Sequence, residues 1–544
     1  MEEKLKQLQH ILRFFLCGIT LLYLVAMILV LPFYYQTATS YSWIATDKEL
    51  FFQRWGFRAA KLFLPFAIGY LCTLIGNWWL KNGKEKGKFS LFINDILDGL
   101  SLTDKFACLY IIALWFSYYY SNYKYIAILG RSGWMLGFWQ LIVMAGSYFA
   151  VSRLFSPRLC KYVAGALFAG SFFVFLLGIL NRYGINPLGM DFSGADFIST
   201  IGNINWYCGY VAVCFPLGAG WFLLWEKTDG QRSNGWLLRI GLGIYTAVGF
   251  VTTVTQGSDS GFLMLVGLFL VGGCLAVQKK ERVDRYLKLL LLCVFLTLLL
   301  SLIQRLLPEQ NTYPARGYLF LTETLFPYAA LVLLMPLCVL WYRYRESESV
   351  LRLVKKLWWG GMVLLGIGLV CIVVLIVVNT LHPGSIGWLS RYALFTFDRS
   401  WGSRRGGTWV IGSRVWLSQD PLHKFLGVGP DCMSAYLYSG DNPALLELAN
   451  AQFGENVRLT NAHNEWITVL VNLGLFGLIG FAGIIISSIV RFFKSRGTHV
   501  LCAACGIAVF CYTLHNVFSF WQIMNVTYIF IVLGIGEGIL RGRT

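Results

Sequence analysis

Between residues 398 and 414 the sequence reads DRSWGSRRGGTWVIGSR, which collects Arg399, Arg404, Arg405 and Arg414 with only Asp398 to oppose them. A guanidinium offers five N–H donors in a planar fork that matches phosphate oxygens, so this spacing suits the gripping of a phosphorylated anion. Further on, NAHNEW places His463 where a polar stretch gives way to a long apolar one. Asn461 is a candidate helix N-cap, which puts His463 in the first turn of the helix that follows. The free amides and positive dipole end there disfavour an imidazolium, so the ring is expected to stay neutral and able to accept a proton. Finding the histidine and the arginines together favours a functional site over either feature alone. The plainer readings are a solvated basic loop, or one lying on anionic lipid headgroups, and a structural histidine at a helix end.

Other chemically capable residues are more isolated. His515 lies near the end of an apolar run and could face a cavity, although one buried hydrogen bond would account for it equally. Asp259 in TQGSDSGF could counter an arginine or serve as an N-cap. Gly427, Gly429 and Pro430 in LGVGPD lack the strand and helix context of a phosphate loop and read as a turn. Cys502 and Cys505 form a C-x-x-C inside LCAACGIAVFCY, where small packing residues are expected rather than redox or zinc ligands. No H-E-x-x-H, zinc-type Cys/His cluster or Walker sequence is present, and no metal or cofactor is expected.

The elements that must position these residues are membrane helices. With 57% hydrophobic and 13% charged residues, the composition departs far from that of soluble enzymes. Apolar runs of about 20 residues, enough to cross a bilayer, begin near residues 11, 59, 106, 132, 162, 205, 236, 259, 286, 318, 357, 464, 499 and 524. The amino-terminal run has no small-residue cleavage site and reads as a retained first span. A net charge of +18 would suit nucleic acid only on a basic face of a soluble module, so no nucleic-acid partner is expected. With both termini cytoplasmic, the basic loops KNGKEKGK, RLFSPRLCK, EKTDGQR, QKKERVDRYLK, YRYRESESVLRLVKK and RFFKSRG all fall inside, as the positive-inside rule asks. Of 14 cysteines only Cys432 lies in a long polar segment, so no disulfide framework is implied.

The expected fold is therefore an all-α polytopic bundle of about 12–14 transmembrane helices in the lipid bilayer with one long extracytoplasmic loop. It divides into an N-terminal bundle over 1–380, the loop over 381–462 and C-terminal helices over 463–544. A loop of that length among otherwise short connections usually carries function.

Several of these residues resemble a known pattern. His463-Asn464, nine residues, then Gly474-x-x-Gly477 is similar to the H-[NSQ]-x9-G-x-x-[GTY] signature of the O-antigen ligase and polymerase family of membrane glycosyltransferases. Arg405-x-x-x-Trp409, followed by Asp420-Pro421 and LGVGPD, resembles that family's R-x-x-x-W and P-[LI]-x-G-x-G stretch, and GNINWY (202–207) resembles the opening of a middle span. The likeness covers roughly 200–485. It implies transfer of a glycan from a polyprenyl (undecaprenyl) pyrophosphate carrier to an acceptor hydroxyl at the outer face of a bacterial cytoplasmic membrane, with inversion and no metal, in cell-surface polysaccharide assembly. His463 is then the general base or orients the hydroxyl, and Arg405, helped by Arg404 or Arg414, binds the pyrophosphate. Arg399, Asn464, Trp409 and Asn205 are further implied contacts to pyrophosphate or glycan, and Gly427, Gly429, Gly474 and Gly477 are structural. The chain departs from the family's S-R-[GS] run, having Ser258-Asp259-Ser260 at the corresponding place, so a donor-binding arginine is either missing or supplied from elsewhere, such as Arg182, Arg316 or Arg399. The alternative is a transporter or flippase of lipid-linked oligosaccharide, which usually shows charges near mid-membrane in two repeated halves; no such repeat is seen. A scaffold protein has no need of the Arg/His loop.

Overall fold

The computed structural model describes residues 2–36, 41–82, 88–130, 134–190, 197–226, 235–308, 316–495 and 499–542. Most of KNGKEKGK and EKTDGQR, and the end of RFFKSRG, lie outside the described residues. The first helices are α1 (Glu2–Val25), α2 (Tyr41–Asn82), α3 (Lys88–Asp98), α4 (Leu102–Tyr120), α5 (Lys124–Ala127), α6 (Phe138–Leu154) and α7 (Pro157–Arg182). Next come α8 (Ile204–Leu224), α9 (Gly235–Thr255), α10 (Asp259–Ala276), α11 (Lys280–Leu306), α12 (Arg316–Glu323), α13 (Phe326–Tyr344) and α14 (Glu348–Leu381). Four shorter helices follow, α15 (Trp401–Ser418), α16 (Pro421–Leu426), α17 (Met433–Leu437) and α18 (Pro443–Phe453), and then α19 (Glu465–Lys494), α20 (Val500–His515) and α21 (Ile523–Arg541). The strands seen among the described residues, Phe197–Ile198 and Gly202–Asn203, form one antiparallel pair just before α8.

A helix begins at, spans, or closely follows every start expected from the apolar runs. Among the described residues eleven helices are long and apolar enough to cross a bilayer, and twelve if α3 and α4, bent by 112°, make one span. The higher count expected from sequence included α6 and α20, whose 17 and 16 residues reach only about 25 Å. The chain is thus an all-α, multi-pass membrane protein.

The N-terminal and C-terminal helices form one bundle. Buried α8 packs on α20 and α21, α4 packs on α19, and α6 packs on α21. Lipid gives helices no hydrophobic reason to associate, so close packing of small residues has to do it. Cys502, Ala503, Ala504 and Cys505 of α20 are wholly buried, the two thiols outside any disulfide, as expected of packing residues. Gly480 of α19 meets the backbone of Tyr110 in α4, where a methyl group would lie 2.9 Å from Tyr110 Cα. α14, by contrast, buries none of its apolar window.

The two ends of the bundle differ in charge. At one end, buried Asp104 takes the guanidinium groups of Arg153 (3.0 Å) and Arg541 and the Tyr148 hydroxyl (2.7 Å), while Glu537 takes Arg491 (2.8 Å). Glu226 pairs there with Arg282 (2.6 Å) and Lys279 (3.0 Å). At the other end the helix breaks after α4, α7, α9, α14 and α20 come together, and the 382–464 segment folds over them.

Candidate functional site

Asn379, buried at the end of α14, turns the chain into this segment. Its Nδ2 donates to the Phe395 carbonyl (3.2 Å) and Thr396 hydroxyl (2.8 Å), and its Oδ1 accepts from the Gly384 amide (3.1 Å) and Ser390 hydroxyl (2.7 Å). Asp398 then accepts the amide (2.8 Å) and hydroxyl (2.7 Å) of Ser400. At the start of α15 three successive residues, Gly402, Ser403 and Arg404, are left-handed, with φ of 59°, 60° and 72°. This costs a residue with a side chain roughly 1–2 kcal/mol, and it separates two neighbouring arginines.

Arg404 is left exposed, whereas Arg405 is half-buried. Arg405 Nε donates to the Phe518 carbonyl (2.8 Å) and Nη1 to the Gly402 carbonyl (3.2 Å). Burial lowers its pKa from the ordinary guanidinium value, with Asp259 acting in the opposite sense. Arg414, nine residues along α15, lies half a turn around the helix from Arg405 and is exposed. The Arg399 side chain is also exposed; its carbonyl accepts the Gly407 amide (3.3 Å) and Gln452 Nε2 (3.1 Å). Of the four arginines, then, the fold draws Arg405 inward. Trp409, one turn on, joins Trp401 (5.5 Å), Phe518 (5.3 Å) and Phe397 (6.4 Å) in an aromatic cluster.

His463 is placed differently from the expectation. Asn464 is the N-cap of α19, its Oδ1 accepting the amides of Trp466 (3.0 Å) and Ile467 (3.2 Å). Asn461 instead closes a local turn by accepting the His463 amide (2.8 Å). His463 therefore stands just outside the helix, with a left-handed φ of 47°. Its ring meets Phe520 edge to face at 4.9 Å. Burial, followed by the Arg405 guanidinium, lowers the imidazole pKa to about 4, so the ring is neutral at pH 7. The expected neutrality holds, with burial and a neighbouring cation as its cause.

The connection between α20 and α21 was not anticipated as part of the site. Its Phe518 carbonyl holds Arg405 and its Phe520 ring covers His463. Both ends of this connection are pinned by Glu465, whose amide donates to the Asn516 carbonyl (2.9 Å) and whose Oε2 accepts the Trp521 amide (2.7 Å). His515, fully buried at the end of α20, is in the electrostatic range of Arg405, with Nδ1 3.2 Å from Asn516 Oδ1 and Nε2 unpartnered.

Beside Arg405 opens a cleft of about 720 Å³, lined by Gly402, Ser403, Phe518, Asp259 and Arg316 among others. Asp259 occupies the first position of α10, after Ser258, rather than the N-cap itself. Ser258 Oγ donates to Asn205 Oδ1 (3.0 Å), tying the start of α8 to this wall. Arg182 is buried and donates to the Gln256 carbonyl, so it braces the same junction.

The glycine motifs meet each other. α19 breaks at Gly474 (φ 66°, ψ −171°), a conformation open essentially to glycine, and a methyl group there would strike the Phe425 carbonyl. The break frees the carbonyls of Val471 and Asn472, which accept the amides of Val428 (3.2 Å) and Gly429 (3.0 Å) in LGVGPD. Gly427 and Gly429, with φ of 81° and 122°, let that loop approach. Gly474 is thus a kink clamped by the loop, and Gly477 packs next to Leu473 of its own helix. Beyond the clamp, Asp431 faces a small chamber of about 30 Å³ shared with Glu465 and Asn461. Burial raises the Asp431 pKa to about 7, against the backbone amides of Leu136, Trp134 and Met135. Comparison with models of known protein families and with curated proteins found no match.

Proposed function

We propose that this chain is a membrane glycosyltransferase of the O-antigen ligase and polymerase kind, which moves a glycan from a polyprenyl pyrophosphate carrier to an acceptor hydroxyl at the outer face of a bacterial cytoplasmic membrane. The observation that carries the reading is that the α20–α21 connection holds Arg405 through the Phe518 carbonyl (2.8 Å) and half-buried His463 against the Phe520 ring (4.9 Å) at one end of the bundle. The neutral imidazole takes the proton of the attacking hydroxyl, and the Arg405 fork meets the charge that grows on the departing pyrophosphate. Neither step calls for a resident cofactor. The cleft between Asp259 and Arg316 receives the glycan or the acceptor, with Trp401 and Phe518 as stacking surfaces. In this reading Arg404 and Arg399 form an exposed basic rim that draws in the anionic donor, Arg414 on the opposite face of α15 adds to the positive field, Trp409 backs the aromatic wall, and Asn464 and Asn205 hold the backbone that presents the site.

The test uses the purified chain with a polyprenyl-pyrophosphate glycan and compares wild type with Arg405→Lys. An ammonium keeps the charge and loses the fork, so kcat/KM should fall by at least about tenfold. Unchanged turnover would remove bidentate binding, and no product from wild type with any pyrophosphate donor would remove the reading.

A further inference from the structure

A second concave site lies away from the one described, on the flank of the bundle between α1, α2 and α6. It is a lateral groove of about 590 Å³ whose walls are mostly apolar, including Ile19, Phe57, Phe63 and Val143. Two features are out of place in such a wall. Lys61 lines the groove, and so does Tyr23, whose hydroxyl is buried without a hydrogen-bond partner of acceptable geometry. Its polar neighbour Ser147 donates to the Met144 carbonyl (2.6 Å) and forms no hydrogen bond of acceptable geometry with the Tyr23 hydroxyl.

The pairing of α1 with α2 makes the cation more unusual. The two helices run antiparallel, with Gln9 bonded to Asn77 (3.1 Å), Phe15 stacked on Phe66 (5.1 Å) and Lys48 donating to the Leu31 and Pro32 carbonyls (2.8 Å each). Interpolating between these contacts, Arg54, Arg58 and Lys61 lie beside the apolar stretch of α1 from Phe15 to Leu31. At spacings of four and three residues they share one face of α2, and all three are exposed. No acidic side chain pairs with any of them among the described residues. Arg58 stacks over the Trp55 ring (5.7 Å); cations without acidic partners beside an apolar helix are costly, and they ordinarily mark a ligand or counter-ion.

We infer that this groove binds a phosphate-bearing lipid, its chain lying along the apolar walls and its phosphate oxygens taken by Lys61 and the Tyr23 hydroxyl, with Arg58 and Arg54 continuing the positive stripe. Charge complementarity selects an anionic lipid over a zwitterionic one, and the orphaned hydroxyl supplies a donor that an acyl chain alone does not need. An anionic phospholipid and a polyprenyl phosphate share this chemistry. The inference does not depend on the reaction proposed above.

Gly146 gives a clean way to close the groove. It lines the wall on α6, and a methyl group added there meets no atom within 4 Å, so a larger side chain projects into the open space without disturbing the packing. The experiment is native mass spectrometry of the full chain, released from nanodiscs that contain phosphatidylcholine mixed with phosphatidylglycerol or with a polyprenyl monophosphate. Wild type should retain at least one of the two anionic lipids about tenfold over phosphatidylcholine, with Lys61→Ala removing that preference. Tyr23→Phe should weaken retention about threefold, and Gly146→Leu should abolish it. Retention of phosphatidylglycerol alone names a phospholipid, and retention of the polyprenyl phosphate alone names an isoprenoid carrier. Equal retention of zwitterionic and anionic lipids by wild type, retention of neither, or a wild-type preference surviving in both Tyr23→Phe and Gly146→Leu would overturn the inference. The last two variants keep the test decisive even where Lys61→Ala fails to fold.

Discussion

Removing the charge of Arg405 should raise the pKa of His463 by a bounded amount. In the folded chain that pKa has fallen from 6.5 to about 4, with burial the first cause and the Arg405 guanidinium the second. The difference corresponds to about 3 kcal/mol against the imidazolium, and because burial is the larger part, Arg405→Met should return less than half of it. The midpoint should therefore move up yet stay nearer 4 than 6.5. Arg405→Lys retains a positive charge and should leave the midpoint almost where it is, even though it impairs turnover. Diethyl pyrocarbonate acylates neutral imidazole, so peptide mapping across pH 3.5–8 reports His463 separately from the other five histidines. A wild-type midpoint near 6.5, or one that does not move in Arg405→Met, would refute the placement of the two groups. The same coupling bears on substrate binding, since a bound pyrophosphate would neutralise the guanidinium and make His463 a stronger base.

Other consequences are testable in the same preparation. Because the folded His463 pKa is depressed, the unfolded chain takes up a proton that the folded one refuses, so stability should fall as pH drops from 6.5 through about 4; His463→Gln should flatten that part of the profile in thermal unfolding. Gly474→Ala should destabilise by about 3 kcal/mol or more, since it combines a forbidden φ with a carbonyl clash, while Gly360→Ala in lipid-facing α14 should change the unfolding temperature little. Glu465→Leu should cost about 1–3 kcal/mol by orphaning the Trp521 amide and should lower kcat through loss of the Arg405 and His463 supports; Glu465→Gln keeps an acceptor and should retain most of both. Asp431→Asn should stabilise the protein increasingly as pH rises from about 4 to 7, because burial makes the folded aspartate keep a proton that the unfolded one has lost.

The membrane helices were legible from apolar runs because crossing a bilayer sets a length that few other structures need. Span counts were less so, since α6 and α20 are short and α3 meets α4 at a sharp bend. Arg405 and His463 could be picked out by residue type, but nothing in SRRGGTW shows that three left-handed residues turn Arg404 outward and Arg405 inward. In NAHNEW either asparagine could cap the helix, and only the amides of Trp466 and Ile467 decide for Asn464. Nothing in Gly474-x-x-Gly477 announces a kink, because the loop that clamps it is distant in sequence. The α20–α21 connection was missed because it acts through the backbone carbonyl of Phe518 and the ring of Phe520, which leave little polar signature. Its dense run HNVFSFWQ, between two apolar helices, was the available hint.

The central claim is that His463 takes a proton during transfer of a glycan from a pyrophosphate carrier. The most direct measurement incubates purified wild type and His463→Ala with a fluorescent polyprenyl-pyrophosphate glycan and an acceptor, following loss of lipid-linked donor and appearance of product together. Wild type should consume donor and form product, while His463→Ala, folded and at normal abundance, should do neither. Product from both proteins, or movement of intact donor between vesicle leaflets with product from neither, would contradict the account.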